Sequence, residues 1–380
     1  MEKKQNKVIM IDSLIGNDYT LCLGLSLFEK GMNLELIVPE NREFNMSVPF
    51  IVKKWSPAKD DSYGKIRKTY KYLYYLIRLL TYTTSAKDSI VHFQFFRRRG
   101  DSIVFFLLSL LGVKLVFTAH NIFPHEKNMF DWHLRNLVYK SASAIIVHSE
   151  YIRNKLLNNF KIDDGKVYVI PHGNFDIYLQ KAKIAKTEAR NKLKLLIHDK
   201  VLLFFGFLRE YKGLDLLLNA FSIAKNCDEQ LKLVIAGYPM NDTVKNKYLN
   251  RIGEICADGR ILAHLDFIPS ENIQDYFEAS DVVILPYKNI DHSGIVHLAY
   301  SFHRPIIASS VGDFPETVEH EKSGYVLTEN TAENLSETIL KATSDMNKLT
   351  EMGEYAGYLN DTKYSWVNIS NKTTELYRSL

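Results

Sequence analysis

VVILPYKNIDHSGIVHLAYSFHRPIIASSVGDFPE (residues 282–316) decides the fold of this chain. A short aliphatic run, 282–285, ends at Pro286-Tyr287. A polar loop follows, Ser293-Gly294 opens an apolar helix, and Pro305 starts a second apolar run. Two β-branched runs of four to six residues flanking a helix read as a parallel βαβ unit. In an open parallel sheet the ligand crevice lies outside the carboxyl ends of the strands. The N–H groups of Ser293, Gly294 and Ile295 open the helix there without intrahelical partners, and glycine lets an anion approach the backbone closely. The stretch predicts a parallel α/β sheet with an anion site at the start of that helix.

Working outward, the same alternation fills the chain. Strands are predicted at 7–12, 33–39, 89–94, 114–120, 144–149 and 166–173, with helical runs such as 18–31 between them. A polar, lysine-rich segment follows at 177–198, and a second series of strands occupies 201–206, 230–237, 260–267, 282–287, 305–310 and 324–327. Repeated βα units imply doubly wound parallel sheets. A chain of 380 residues is too long for one such domain and suits two of ~150–200 residues each. The expected organisation is residues 1–177 as an N-terminal Rossmann-like domain, 178–198 as a linker carrying a helix and 199–361 as a second Rossmann-like domain.

Composition narrows the setting. Apolar content of 46% and charged content of 24% describe a globular chain. Cys22, Cys227 and Cys256 are far apart and show no C-x-x-C spacing, so neither a disulfide framework nor a zinc site is expected. They read as buried small hydrophobes. The N-terminus enters a strand with no signal-like apolar region, and no run reaches the ~18–20 apolar residues of a membrane span. A cytoplasmic location is expected, with peripheral contact to the inner face of the membrane left open.

Net charge is +4 but unevenly spread: residues 51–100 hold 12 Lys/Arg against 3 Asp. That excess suggests an anionic partner for the first half, and no nucleic acid is expected. Within 62–82, Ile66, Tyr70, Leu73, Ile77 and Leu80 form a helical apolar stripe, with Lys65, Arg67, Lys68, Lys71 and Arg78 outside it. The pattern fits an amphipathic helix resting on anionic lipid. It equally fits a helix packed on the sheet with a solvated basic face.

The opening window resembles the donor-phosphate site of the GT-B glycosyltransferases, specifically family 4, in which a strand-loop-Gly-helix-Pro-strand-V-G-G-x-P-E pattern receives the diphosphate of a nucleotide sugar. The resemblance covers most of the chain. It implies two Rossmann-like domains facing across a cleft, with the last helix, here 362–380, joining the first domain. It also implies a UDP- or GDP-type donor and a glycan acceptor, lipid-linked in surface-polysaccharide assembly. The sequence FFGFLREYKGLDLL (204–217) is similar to the family's G-R-L-x-x-x-K-G loop. Lys212-Gly213 matches its end. Phe207 stands in the arginine slot, and Arg209 is the nearest replacement. With no D-x-D motif at a strand end and no metal-spaced His/carboxylate cluster, no metal or other cofactor is expected. Arg209 and Lys212 would then neutralise the diphosphate. Gly16 stands where the family has a glycine-rich turn near the phosphates.

KLVFTAHN (114–121) resembles the family's T-x-H-[ND] segment, which implies that His120 orients the transferred sugar or the acceptor. His92, Gln94 and His125 lie on the same expected edge as acceptor candidates, and Pro171-His172-Gly173 reads as architectural. Gly237 and Phe267-Ile268 end strands where the family holds the nucleotide base. Glu316 reads as helix-opening chemistry.

One departure stands out. The family's two glutamates, eight positions apart, fall on Ile290 and Leu298 when the window is aligned on Pro305. Asp291 is close enough to replace the first, for the donor sugar; nothing acidic replaces the second. SGIVHLAYSF (293–302) resembles a subset with S-G-V-x-x-x-A-Y-x-F. The retaining outcome that the family implies is thereby left open. Two rivals follow: an inactive GT-B subunit that binds glycan or supports a partner enzyme, and a nucleotide-sugar epimerase or hydrolase on the same fold.

Overall fold

The computed structural model describes residues 7–14, 18–44, 46–57, 64–86, 88–96, 99–123, 129–179, 184–255 and 258–380, with the side chains of 129–131 left aside. The chain divides into two compact units. The first is Met1–Gly173 with Trp366–Leu380, and the second is Asn174–Ser365.

The first unit carries seven parallel strands: β1 (Val8–Asp12), β2 (Leu34–Pro39), β3 (Ile51–Ser56), β4 (Ile90–Phe95), β5 (Lys114–Thr118), β6 (Ala144–Val147) and β7 (Val167–Val169). Their order is β3-β2-β1-β4-β5-β6-β7. β1 and β2 are buried at every position, as continuous apolar runs between helical layers must be. β3 is an edge strand, IVKKWS, buried only at Ser56, and its mixed composition hid it from the pattern reading. The closing helix Trp366–Ser379 belongs to this unit. Ser26 Oγ lies 2.8 Å from Ser370 Oγ and donates to Trp366 O.

The second unit has six parallel strands: β8 (Lys200–Phe205), β9 (Leu231–Ala236), β10 (Ile261–His264), β11 (Val282–Leu285), β12 (Ile306–Ala308) and β13 (Gly324–Val326). The order β10-β9-β8-β11-β12-β13 reverses between β8 and β11. The loops that leave these two neighbours therefore emerge side by side, which is where an open α/β sheet builds its ligand site.

Four expectations need correction. Residues 178–198 carry the expected helix, Lys186–Lys192, but they are part of the second unit rather than a link between units. There the buried Arg190 donates to Ala279 O and pairs with Asp281 at 2.8 Å. The first boundary falls after Gly173 and the last before Trp366, not at 177 and 362. Cys22 is buried but Cys227 is exposed; Cys256 lies outside the described residues. In helix Lys65–Ser85 the core-facing side is Tyr75, Leu79 and Thr83, with Tyr72, Leu76, Leu80 and Tyr82 packed beside it. Ile66, Tyr70, Leu73 and Ile77, the apolar stripe, point to solvent; Ile66 is 88% exposed. Of the two readings of this helix, the stripe packed on the sheet is excluded: the tyrosines take the core side because their hydroxyls find partners inside, as in Tyr72 Oη donating to Asp101.

Candidate functional site

The second unit builds its site from the ends of β8 and β11. After Phe205 the chain passes Gly206 and Arg209, makes a 3-10 turn at Glu210–Lys212, and enters helix Leu214–Ala224 through Gly213 in a left-handed conformation, φ 69°. A Cβ on Gly213 would lie 1.8 Å from the carbonyl oxygen of Pro286. Only glycine lets the β8 loop seat against the β11 loop this closely. Gly237, at the end of β9, approaches Gly206 O in the same way, its Cβ position 1.9 Å away.

This packing buries a cation. Lys212 is 7% exposed, and no carboxylate or hydrogen-bond acceptor among the described residues reaches its ammonium group. Burial pushes its pKa down to about 8; Tyr211 opposes the shift and Arg209 adds to it. Nζ lies 5.4 Å from the ring centre of Tyr287 and 2.9 Å from where a Cβ on Gly206 would sit. Arg209 has its guanidinium 5.7 Å from the Phe207 ring, and its Nε is buried with no hydrogen-bond partner. A buried cation without a counter-ion is costly, and an arriving anion would offset that cost.

The other lip is the helix Gly294–Ser301. Ser293 precedes it, but its hydroxyl does not cap the helix; the neighbouring Tyr287 hydroxyl is buried without a hydrogen-bond partner. The first-turn N–H groups are thus left for a ligand. Ile295 Cδ1 lies 3.6 Å from the same Gly206 Cβ position that Lys212 Nζ approaches. Lys212, Ser293, Gly294 and Ile295 therefore come together, with Arg209 on the same loop as Lys212. Asp291 sits at the rim, half-buried, its carbonyl accepting from Asp313 N. Leu298 is a core residue and Ile290 packs against the core, so no carboxylate occupies either aligned glutamate position. Of the base candidates, Phe267 is 68% exposed and Ile268 half-buried against the core. Gly237 is required by its approach to Gly206. Glu316 lies in the first turn of the short helix Phe314–Thr317 and is exposed.

In the first unit His120 follows β5, half-buried and stacked on Phe95 at 4.2 Å. Its Nδ1 is 3.0 Å from His148 Nε2. His148 Nδ1 is 3.0 Å from Ile170 O, and a carbonyl only accepts, so His148 donates there. His120 Nε2 lies 3.3 Å from Gln94 Oε1, an acceptor, so a proton on that nitrogen would be donated to Gln94.

His92 and Gln94, expected as acceptor contacts, are 0% exposed. His92 spans Tyr377 Oη at 2.6 Å and Thr118 Oγ1 at 2.7 Å, and burial pushes its pKa down to about 3. Both belong to the support behind His120 rather than to a binding surface. The Gly173 Cβ position is filled by the Trp366 ring at 2.4 Å, as an architectural turn requires. Gly16 and His125 lie outside the described residues.

Sequence reasoning missed one pair. His292 Nδ1 lies 2.6 Å from Asp313 Oδ2, both side chains buried. The signal was an aspartate in V-G-D-F-P-E where the pattern has its second glycine.

Residues 185–357 match the family model described as Glycosyl transferases group 1, and residues 19–173 that described as Glycosyltransferase Family 4. The two models together span most of the chain, which resembles the family 4 glycosyltransferases. A D-inositol 3-phosphate glycosyltransferase of Corynebacterium urealyticum is 26% identical to this chain over 248 residues, 64% of this chain and 58% of that protein. An uncharacterized glycosyltransferase of Methanocaldococcus jannaschii is 28% identical over 247 residues, 63% of this chain and 60% of that one. The match thus spans less than two thirds of either relative's length. Among solved structures, sucrose-phosphate synthase of Thermosynechococcus elongatus aligns with TM-score 0.79 at 16% identity, covering 98% of both chains. Anabaena HepE, in complex with UDP and glucose, aligns with TM-score 0.77 at 17% identity, covering 99% of this chain and all of that one. These likenesses establish the GT-B fold.

Proposed function

We infer that this glycosyltransferase moves a sugar from a UDP- or GDP-sugar to a glycan acceptor, without a metal ion and with retention at the anomeric carbon. One observation carries the reading: a buried lysine with no counter-ion beside the uncapped start of an apolar helix. Lys212, Arg209 and the N–H groups of Ser293, Gly294 and Ile295 stabilise the departing diphosphate electrostatically. Asp291 serves the donor sugar, Phe267, Ile268 and Gly237 the base side, and His120 the sugar or the acceptor. The UDP in the Anabaena neighbour makes UDP the first nucleotide to test.

The acceptor is a lipid-linked glycan in surface-polysaccharide assembly, met at the cytoplasmic face of the membrane. Supporting this is the solvent-facing stripe Ile66, Tyr70, Leu73 and Ile77, flanked by Lys65, Arg67, Lys71 and Arg78. Exposed Ile103, Leu107 and Leu110 on helix Arg99–Leu110 extend the apolar area. Apolar and basic residues on one surface helix match an anionic bilayer interface. Among the described residues no helix is long and apolar enough to cross a membrane.

A thermal-shift panel of UDP, GDP, ADP and TDP with their sugar conjugates, in EDTA, tests the donor side. Stabilisation by one nucleotide family is expected. No shift with any of them would favour the inactive subunit, and release of free sugar or an epimer without acceptor would favour the hydrolase or epimerase.

A further inference from the structure

We propose that the second unit carries a separate anion site, a cavity that takes a phosphate group, free or as a small monoester, at the end of the sheet away from Lys212. The cavity has a volume of about 240 Å³, below the ~300–1,000 Å³ of drug-sized sites. It lies where Asp281 leads into β11 and Arg304-Pro305 into β12, with helix Met346–Asp361 along its other side. The loops of Lys212 and Ser293 leave the opposite ends of these parallel strands. The cavity is thus apart from the donor site, and nothing about it depends on what the donor is.

Two glycines shape the wall. His303 takes a left-handed conformation, φ 54°, and its ring lies against the helix, 2.6 Å from where a Cβ on Gly357 would sit. One helical turn earlier, a Cβ on Gly353 would lie 2.5 Å from His303 O. A side chain at either position would push the turn off the helix. Donors on this wall remain unspent. Arg304 donates from Nε to Phe277 O at 2.7 Å and from Nη2 to Glu278 Oε2. Its Nη1 has no hydrogen-bond partner among the described residues, yet it is not sealed from solvent. Lys186 pairs with Asp281 Oδ1 but stays 40% exposed, and an ammonium has three donors. His303 is exposed beside Arg304. The nearest acid is already used, since Asp281 Oδ2 accepts from Arg190 and from Val201 N. Glu354, exposed on the helix side, is the one lining carboxylate without an ion-pair partner among the described residues. Guanidinium, ammonium and imidazole on one small cavity match an oxyanion that only accepts. Met346 and Leu349 offer apolar surface to the carbon part of an ester.

The test titrates the full chain with inorganic phosphate and with glycerol 3-phosphate by calorimetry at low salt, where charge effects are least screened. Saturable binding is expected. Tighter binding of glycerol 3-phosphate assigns the site to an ester, and equal binding assigns it to free phosphate. Arg304 also holds Phe277 and Glu278, so the variants are placed on the exposed helix face instead. Thr350→Glu, which adds a carboxylate to the lining, should weaken phosphate about tenfold or more; Glu354→Gln, which removes one, should tighten it about threefold. Thermal unfolding without phosphate checks that both variants fold. Lys212→Met should leave this binding within about twofold, because sites this far apart act independently. Binding lost in Lys212→Met but kept in Thr350→Glu would assign the phosphate to the β8 loop and overturn the proposal. No saturable binding by the wild-type chain, or affinities unmoved by both helix variants, would overturn it as well.

Discussion

Replacing Lys212 by methionine should make the unliganded protein more stable and weaken its hold on nucleotide. The lysine has a pKa of about 8 in the folded chain against 10.5 for the ordinary group, mainly because burial disfavours its charge. At 1.36 kcal/mol per unit, that depression means the folded state carries about 3 kcal/mol of unfavourable charge burial. Below pH 8 both folded and unfolded chains hold the proton, and the full cost is present. Between pH 8 and 10.5 the folded chain releases it first, so the unfolded state binds more protons and wild-type stability rises relative to the variant. Methionine fills a similar volume with no charge to desolvate. The expected gain at pH 7 is about 1–3 kcal/mol, allowing for imperfect packing, and it should shrink as pH rises toward 10. Urea unfolding at pH 7 and pH 9.5 measures it, read as midpoint shifts because two units need not unfold together. Calorimetry with UDP and GDP should show affinity down about tenfold or more. A methionine variant less stable than wild type at pH 7, or one with unchanged nucleotide affinity, would refute the reasoning that Lys212 is held charged for an anion.

Gly213→Ala should cost about 1–3 kcal/mol and nucleotide binding together. Its Cβ would collide with Pro286 O at 1.8 Å and sit at φ 69°; unfolding midpoints and calorimetry on the same sample check this. His120→Ala should lower transfer at least tenfold while diphosphate affinity stays within about twofold, and equal losses in both would make the histidine structural. Ile66→Ser with Leu73→Ser and Ile77→Ser should leave the melting temperature within a degree or two, because these side chains are already in water. Sedimentation with vesicles containing anionic lipid should fall several-fold, and unchanged pelleting would remove the helix from any membrane surface.

The strand ladder was legible because parallel strands between helices are buried on both faces and read as aliphatic runs. β8 (KVLLFF) and β11 (VVIL) declare themselves in this way, and their adjacency at the sheet's reversal makes the anion site a consequence of topology. Facing was harder to read. In IVHFQF, His92 and Gln94 share one strand face. That face meets Tyr377, 285 residues away in sequence, so polarity at a strand end looked like a binding edge when it was a buried network. In Lys65–Ser85 the aliphatic stripe was the outer one because tyrosines, counted as interfacial, formed the inner one. Charge partners were the least legible. Lys186 and Lys212 are both lysines beside short helical turns, and nothing local separates them. The fold brings Asp281 to Lys186 and brings no acid to Lys212. The same accounting applies to carboxylates. Asp281 answers Lys186 and Arg190, whereas Asp313 is paired with His292. Groups whose charge is settled within the fold hold it together, as Arg190 does on Asp281. Groups left to be completed from outside mark where a ligand belongs, and in the second unit Lys212 is of that kind.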